Sequence, residues 1–265
     1  MVMLSIVLPA YNEARVIAAS LRRLADYLDA PGIAGIAGAS GAAWSSWEIV
    51  VVDDGSHDGT ADAAAAALGE EPRLTVLRMP VNSGKWAAIT AGMKAARGEI
   101  LITTDVDLSY GLSDLGAAAS LLAPGSAACD IVTGNRRHAA SRMDLALSAL
   151  GHVLRRQAIS VVFNLCVRIV YGVASKDTQC GLKGFSRKAA AEVLPRLRTR
   201  RFLADVEVFL IAERLGLRIE MIPVHLTFLS SDSTVHVLGH APAVIADALR
   251  IKEAQVMGRY EAERG

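Results

Sequence analysis

The sequence predicts an α/β fold, a mainly parallel sheet flanked by helices, with a second part of different pattern built onto it. Three observations predict it. Short apolar runs rich in branched residues recur at 3–8, 48–52, 74–77, 100–104 and 131–133. They are nearly continuous rather than alternating, as in strands buried on both faces. Helical stretches at 14–28, 61–68, 85–96 and 112–122 fall between them, and alternating strand and helix means a doubly wound layer.

Taken in order, the first run is stopped by Pro9, and the second ends at Asp53-Asp54-Gly55. Residues 32–46 are Gly, Ala and Ser for the most part and read as a mobile loop insertion. After Thr133 the pattern changes. Residues 136–171 read as one or two long arginine-rich helices, 176–183 as a polar loop, 188–193 and 205–215 as helices, 219–228 as a strand and 242–260 as a terminal helix. One unit over 1–265 is expected, with a ligand-binding half at 1–133 and a second half at 134–265 carrying amphipathic helices.

Composition narrows the function. The 265 residues carry a net charge of +1, which disfavours a nucleic-acid partner, since phosphate neutralisation needs a clear cationic excess. A hydrophobic content of 52% excludes an acidic disordered chain. Cys129, Cys166 and Cys180 are too few and scattered for a disulfide framework or zinc site, and a reducing compartment fits best. The mean hydropathy of +0.34 is high, yet a span needs roughly 18 consecutive apolar residues. Residues 157–167 are uncharged but bounded by Arg156 and Arg168. No integral span and no signal peptide is read.

Polar clusters fall at the carboxyl ends of the strands, where open α/β sheets bind ligands. Pro9-Ala10-Tyr11-Asn12-Glu13 follows the first, Asp53-Asp54-Gly55-Ser56 the second and Asp105-Val106-Asp107 the fourth. Three acidic clusters at one edge repel unless a cation sits among them. Asp105 and Asp107, spaced i, i+2, point to one face of an extended strand end. That suits Mg²⁺ or Mn²⁺ completed by substrate phosphates; a solvated turn capping the next helix is the plainer alternative. Asp53 and Asp54 are acceptors for a base or ribose, or turn residues. Asn82-Ser83-Gly84-Lys85 opens a helix and offers backbone N–H groups and a lysine to an anion. Neither a P-loop nor a Gly-x-Gly-x-x-Gly is present.

Together these motifs, in this order and spacing, resemble the inverting GT-A glycosyltransferases of family 2, over about residues 3–228. Asp177-Thr178-Gln179-Cys180-Gly181-Leu182-Lys183 and Phe202-Leu203-Ala204-Asp205-Val206-Glu207 are similar to stretches of the polyprenyl- and dolichyl-phosphate glucosyltransferases and mannosyltransferases. The resemblance implies a GT-A fold, a nucleotide-sugar half and a C-terminal acceptor-binding part. It implies transfer of a hexose from a UDP-glucose or GDP-mannose type donor to a polyprenyl phosphate, with inversion. It assigns Pro9, Tyr11, Glu13, Asp53, Lys85 and Asp105 to the donor, and Asp105 and Asp107 to Mg²⁺ or Mn²⁺. Gln179 and Arg136 fall to the acceptor, and Asp205, Asp107 and Arg136 to catalysis. Arg201, in a basic cluster with Arg196, Arg198 and Arg200, reads either as a grip on an acceptor phosphate or as part of a solvated loop. Ser109 stands where the family has Gln or a similar ligand. Ser231-Asp232-Ser233-Thr234 stands where it has Gly-Ser-Lys.

The chemistry follows from charge. The leaving nucleoside diphosphate gains negative charge, which a metal stabilises. A phosphate acceptor is already ionised and needs no base, whereas a hydroxyl acceptor needs one, and Asp205 is the candidate. Residues 134–168 hold six arginines and one acid, Asp144, interleaved with apolar residues. That is either a basic amphipathic segment at an anionic membrane surface or a core helix with a solvated arginine face. The expected location is cytoplasmic, peripheral on the cytoplasmic membrane face. The alternatives are a soluble metal-dependent transferase acting on a hydroxyl of a small molecule or saccharide, a nucleotidyltransferase, and a non-catalytic sugar-nucleotide-binding protein.

Overall fold

A computed structural model describes residues 2–30, 44–125, 129–144, 170–173, 175, 177–227 and 241–261. The strands are β1 (Met3–Ala10), β2 (Ser46–Asp53), β3 (Leu74–Arg78), β4 (Ile100–Thr103), β5 (Ile131–Asn135), β6 (Arg142–Asp144), β7 (Lys183–Ser186), β8 (Ile219–Pro223) and β9 (His225–Thr227). The helices are α1 (Ile17–Asp29), α2 (Thr60–Ala66), α3 (Lys85–Ala95), α4 (Leu112–Leu122), α5 (Arg187–Val193), α6 (Ala204–Arg214) and α7 (Ala241–Val256).

Seven strands form one sheet in the order β3-β2-β1-β4-β7-β5-β8, and β6 pairs with β9 in a small second sheet. The large sheet is parallel except for β7, which runs antiparallel to both β4 and β5. Side chains of successive strand residues point to opposite faces, so each apolar run feeds two cores. Leu4, Ile6 and Leu8 of β1, Ile49 and Val51 of β2, and Ile100 and Ile102 of β4 join α1, α2 and α4 on one face. Val7, Val50, Val52 and Leu101 join α3, α5, α6 and α7 on the other. This is why the runs are continuous: both faces are covered. Each fully buried Leu, Ile or Val contributes about 1.5–3 kcal/mol.

Strand order reverses between β1 and β4. The chain winds from β1 through β2 to β3 on one side and returns to β4 on the other, and such a switch point opens a crevice at the carboxyl ends of the two strands. Pro9 to Glu13 flank it on one side and Asp105 to Asp107 on the other.

The second half departs from the sequence reading in three places. Residues 136–144 were expected in a long helix; they are a turn followed by β6. Ser141 explains it: its hydroxyl donates to the Asn135 carbonyl at 2.6 Å and accepts the Val224 N–H at 3.0 Å, tying this backbone to the β8–β9 junction. Residues 176–183 were expected as a loop that ends at Lys183, but Lys183 begins β7. Four residues with a lysine and a glycine carry no strand signal, and it is the ladders on both sides that make them a strand. The single strand at 219–228 is two, parted at Val224. The rest of the arginine-rich stretch (145–169), most of the small-residue insertion (31–43) and Ser231 to Thr234 lie outside the described residues.

Candidate active site

Strands β1 and β2 end level, Ala10 opposite Asp53, so the loops that follow them meet. Asn12 takes a left-handed backbone, φ 57°. Its N–H donates to Ser56 Oγ at 2.9 Å and its Oδ1 accepts the His57 N–H at 3.1 Å. The Glu13 N–H donates to Thr60 Oγ1 at 2.8 Å and the Ala14 N–H to Asp58 Oδ2 at 3.0 Å. These bonds gather Pro9, Tyr11, Glu13 and Asp53 on one edge. Asp53 is buried and accepts the Ser56 N–H through Oδ1 at 3.0 Å, whereas the Tyr11 ring is exposed.

Asp54 does something else. Its two oxygens accept the Ser83 N–H at 2.7 Å and the Gly84 N–H at 2.8 Å. The backbone donors read from the sequence as an anion site are therefore filled by the chain's own carboxylate, and Asp54 is unavailable to a base or ribose. The clamp fixes the start of α3 and aims Lys85 across the crevice, where its Nζ pairs with Asp105 Oδ1. Burial works to lower the Lys85 pKa, but the Asp105 and Asp205 carboxylates outweigh it and hold it raised. Burial likewise works to raise Asp105, and Lys85 outweighs it, leaving Asp105 below its ordinary value.

Asp107 is oriented by Ser109, whose N–H donates to Oδ1 at 3.1 Å and whose hydroxyl donates to Oδ2. Ser109 thus holds a carboxylate in place. Glu13 stands near enough that its pKa is raised, by burial first and then by Asp107 and Asp105. Among the described residues no three His, Cys, Asp or Glu side chains form a closed metal cage. Two hard carboxylates beside a third, with Lys85 as the neighbouring cation, fit a divalent ion whose remaining ligands are water and substrate phosphate.

The opposite wall comes from the second half. Arg136, at the end of β5, donates through Nε and Nη2 to Asp177 at 2.9 and 2.7 Å, and its backbone N–H adds a third bond at 3.0 Å. Asp177 is fully buried; burial pushes it up, and Arg136 overcomes this and holds it low. Lys183 is buried as well, its Nζ donating to the Cys180 carbonyl and to Asp205 Oδ1, both at 2.6 Å. Asp205 lies in the first turn of α6. Between them, Gly181 donates its N–H to the Tyr110 hydroxyl at 2.8 Å, and a Cβ there would stand 2.2 Å from Asp105 Oδ2. Cys180 is buried and its thiol pushed up to about 11, which leaves it protonated and inert. Gln179 carries a buried Nε2 with no hydrogen-bond partner among the described residues. Arg201 arrives from the loop before α6, its Cγ 2.8 Å from where a Gly84 Cβ would be.

So Lys85, Asp105, Arg136, Lys183 and Asp205 form one electrostatic group, with Asp107 and Glu13 at its rim. Asp177, Lys183 and Glu207 stand inside sequence motifs that by themselves assign them no role. Glu207, fully buried, accepts the Arg198 and Thr199 N–H groups, the Thr199 hydroxyl and the Tyr260 hydroxyl, all within 2.6–2.8 Å. The available signal was charge: an acid inside an apolar helix, and a lysine beside a cysteine and two glycines.

Comparison with known proteins bears on this arrangement. The family described as "Glycosyl transferase family 2" matches residues 5–151. A dolichyl-phosphate beta-glucosyltransferase of Trichomonas vaginalis is 31% identical over 229 residues, 84% of this chain and 65% of that protein. One of Drosophila melanogaster is 30% identical, over 84% of this chain and 67% of that protein. The chain thus spans just under two thirds of the length of the Trichomonas relative. Among solved structures, Mycobacterium tuberculosis glucosyl-3-phosphoglycerate synthase with Mn²⁺ and UDP-glucose superposes with a TM-score of 0.63 at 19% identity, covering 94% of this chain and 79% of that one. Pyrobaculum calidifontis mannosyltransferase PcManGT with GDP-mannose and Mn²⁺ superposes at 0.52 and 21% identity, covering 92% and 64%. These likenesses show a shared GT-A fold.

Proposed function

The chain belongs to glycosyl transferase family 2, and from that premise we propose that it moves a hexose, with inversion, from a nucleotide sugar to the phosphate of a polyprenyl phosphate. The observation that carries the reading is the meeting of two unlike walls across one crevice. Carboxylates and Lys85 stand at the ends of β1 and β4, and Arg136, Lys183 and Asp205 stand opposite. The first wall suits a nucleoside diphosphate and its metal; on the second, Lys183 is buried against Asp205, so an anionic acceptor would meet Arg136 and Arg201.

On the donor side, Pro9 and Tyr11 flank the base, and Asp53 offers the ribose the oxygen not used by Ser56. Asp105 and Asp107 hold Mg²⁺ or Mn²⁺, which when bound supplies Lewis-acid stabilisation of the leaving diphosphate. Lys85, kept protonated by its carboxylate neighbours, adds positive charge where the diphosphate develops negative charge. The Glu13 pKa is raised by burial and by Asp107 and Asp105, and a cation bound among these carboxylates would relieve their repulsion.

On the acceptor side, Arg136 keeps Nη1 clear of Asp177, and with Arg201 it orients the phosphate for attack. That phosphate is ionised already, so no proton has to leave it. Asp205 has one oxygen fixed by Lys183 and presents the other to the transferred sugar. The unpartnered Gln179 amide donates to the sugar or acceptor. The names of the relatives favour glucose as the sugar. No described helix is long and apolar enough to cross a membrane, and the acceptor reading places the chain peripherally on a cytoplasmic membrane face.

The test is a donor screen with UDP-glucose and GDP-mannose, Mn²⁺ and a polyprenyl phosphate, with product identified by mass. A polyprenyl-phosphate hexose is expected. Transfer to hydroxyl acceptors and never to the lipid phosphate overturns the reading in favour of the soluble alternative.

A further inference from the structure

The two carboxylates assigned to the metal are held by different means, and one side chain outside both motifs reaches both arrangements. Asp107 is oriented by Ser109. Asp105 is bounded by the backbone of Gly181, which leaves no room for a Cβ against Oδ2. Tyr110 follows Ser109 in the chain, and its hydroxyl accepts the Gly181 N–H at 2.8 Å. A Cβ on Gly181 would meet the Tyr110 ring as well as Asp105. One residue thus spans from the turn that carries Asp107 to the segment that walls Asp105.

The turn from Asp105 to Gly111 is built to be stiff. The Leu108 N–H donates to the Asp105 carbonyl at 3.1 Å, and Leu108 takes a left-handed backbone, φ 48°. That conformation is rare for a bulky apolar residue, and it persists only where the surroundings over-determine it. Here Leu108 is buried, in one core with Val106, Tyr110 and Cys180. Strand β9 then grips the chain on both sides of Tyr110. The Thr227 N–H donates to the Ser109 carbonyl and the Gly111 N–H to the His225 carbonyl, both at 2.9 Å, and Tyr110 bridges Leu226. The Tyr110 side chain is buried, and its hydroxyl stands within electrostatic reach of both Asp105 and Arg136. It therefore lies between the two walls of the crevice, fixed from the β9 side. A part-buried N–H that loses its acceptor is costly, so the bond to Gly181 keeps the neighbouring segment in place.

We propose that Tyr110 is a positioning residue: through the bond between its hydroxyl and Gly181 it fixes the spacing of Asp105 and Asp107, and with it the affinity of that pair for a divalent cation. The proposal rests on the assignment of Mg²⁺ or Mn²⁺ to these carboxylates above. Groups that orient metal ligands typically matter by about 10–100-fold in affinity. Tyr110 acts through the Gly181 backbone rather than on a carboxylate directly, so the lower end of that range applies.

The experiment is a titration of the full chain with Mn²⁺, free Mn²⁺ being read from its electron paramagnetic resonance signal, for wild type, Tyr110→Phe and Tyr171→Phe. Phenylalanine keeps the ring in the core and removes only the oxygen. Tyr171 is the control. Its hydroxyl donates to the Ala248 carbonyl at 3.2 Å in the other core, so its loss reports what a missing hydroxyl does by itself. Tyr110→Phe is expected to weaken Mn²⁺ binding about tenfold, and Tyr171→Phe to bind as wild type does. In the transfer assay the Tyr110→Phe deficit should shrink as Mn²⁺ is raised, kcat approaching wild type at saturation, which a general loss of structure does not do. Equal Mn²⁺ affinity in wild type and Tyr110→Phe overturns the positioning role and leaves the metal assignment standing. An equal loss in Tyr110→Phe and Tyr171→Phe overturns it too. If wild type binds no Mn²⁺, alone or with UDP or GDP, the metal assignment itself fails and the positioning role falls with it. The expected ranking of Mn²⁺ affinities without transfer to any acceptor supports the positioning role and overturns the proposed activity instead.

Discussion

Neighbouring aspartates in this chain do different work because their oxygens are occupied differently. Asp54 spends both on the turn before α3, whereas among the described residues Asp107 is held only by Ser109, two residues away. Asp107→Ala should therefore lower transfer about a hundredfold or more, the scale of losing a group that stabilises developing charge. Its melting temperature should stay close to wild type, because no distant element depends on Asp107. Steady-state kinetics over a range of Mn²⁺ concentration, with a thermal melt, check both halves. Asp177 should behave in the opposite way. It is the buried member of a pair with Arg136, and Asp177→Ala leaves a part-buried guanidinium without its partner. Loss of about 3–5 kcal/mol in urea unfolding is expected. Since the folded state holds the Asp177 pKa low, its stabilisation is present above the ordinary carboxylate range and fades as pH falls through the lowered value. The gap between wild type and Asp177→Ala should accordingly narrow in acid, and urea midpoints measured against pH show whether it does.

At the level of elements, the segment from Asp177 to β7 controls the crevice through close approach. Gly181 lies against Asp105 so tightly that a methyl group would displace Oδ2. Gly181→Ala should cut transfer by about tenfold to a hundredfold through misplacement of that carboxylate. It should also weaken Mn²⁺ binding, seen as a raised metal requirement in the same assay. Such a position is hard to read from sequence. The elements legible there were the ones whose pattern repeats: β1, β2 and β4 as continuous apolar runs, α1 and α4 as helical stretches between them. The clusters Pro9 to Glu13, Asp53 and Asp105 to Asp107 were legible because they follow those runs. What stayed hidden was set by partners distant in sequence. Strand β7 exists because β4 and β5 flank it, and β6 exists because β9 pairs with it. Asp54 and Glu207 show the same limit, since a carboxylate that organises backbone looks, in sequence, like one that awaits a ligand.

Across the whole molecule, the proposed division into a donor half and an acceptor half does not coincide with how the chain folds. Strand β5 begins in the first half by sequence and ends in the second, and both of its ladder partners, β7 and β8, come from the second. Strand β4, which carries Asp105 and Asp107 at its end, has β7 as one of its two neighbours. The second core is shared in the same way: Val7, Val50 and Leu101 of the early strands pack with Phe185, Phe209 and Ile251 of the late elements. Tyr260, near the end of the described chain, donates to Glu207 on α6. A fragment of residues 1–133 would leave β5 unpaired, expose one edge of β4 and uncover one face of β1, β2 and β4. It should fail to give a cooperative melt and should lack near-ultraviolet circular dichroism, while 1–265 unfolds in a single transition by fluorescence and calorimetry. Two separable transitions in the full chain, or a cooperative melt of the fragment, would show instead that the nucleotide-sugar half folds by itself and that the acceptor half is an addition to it.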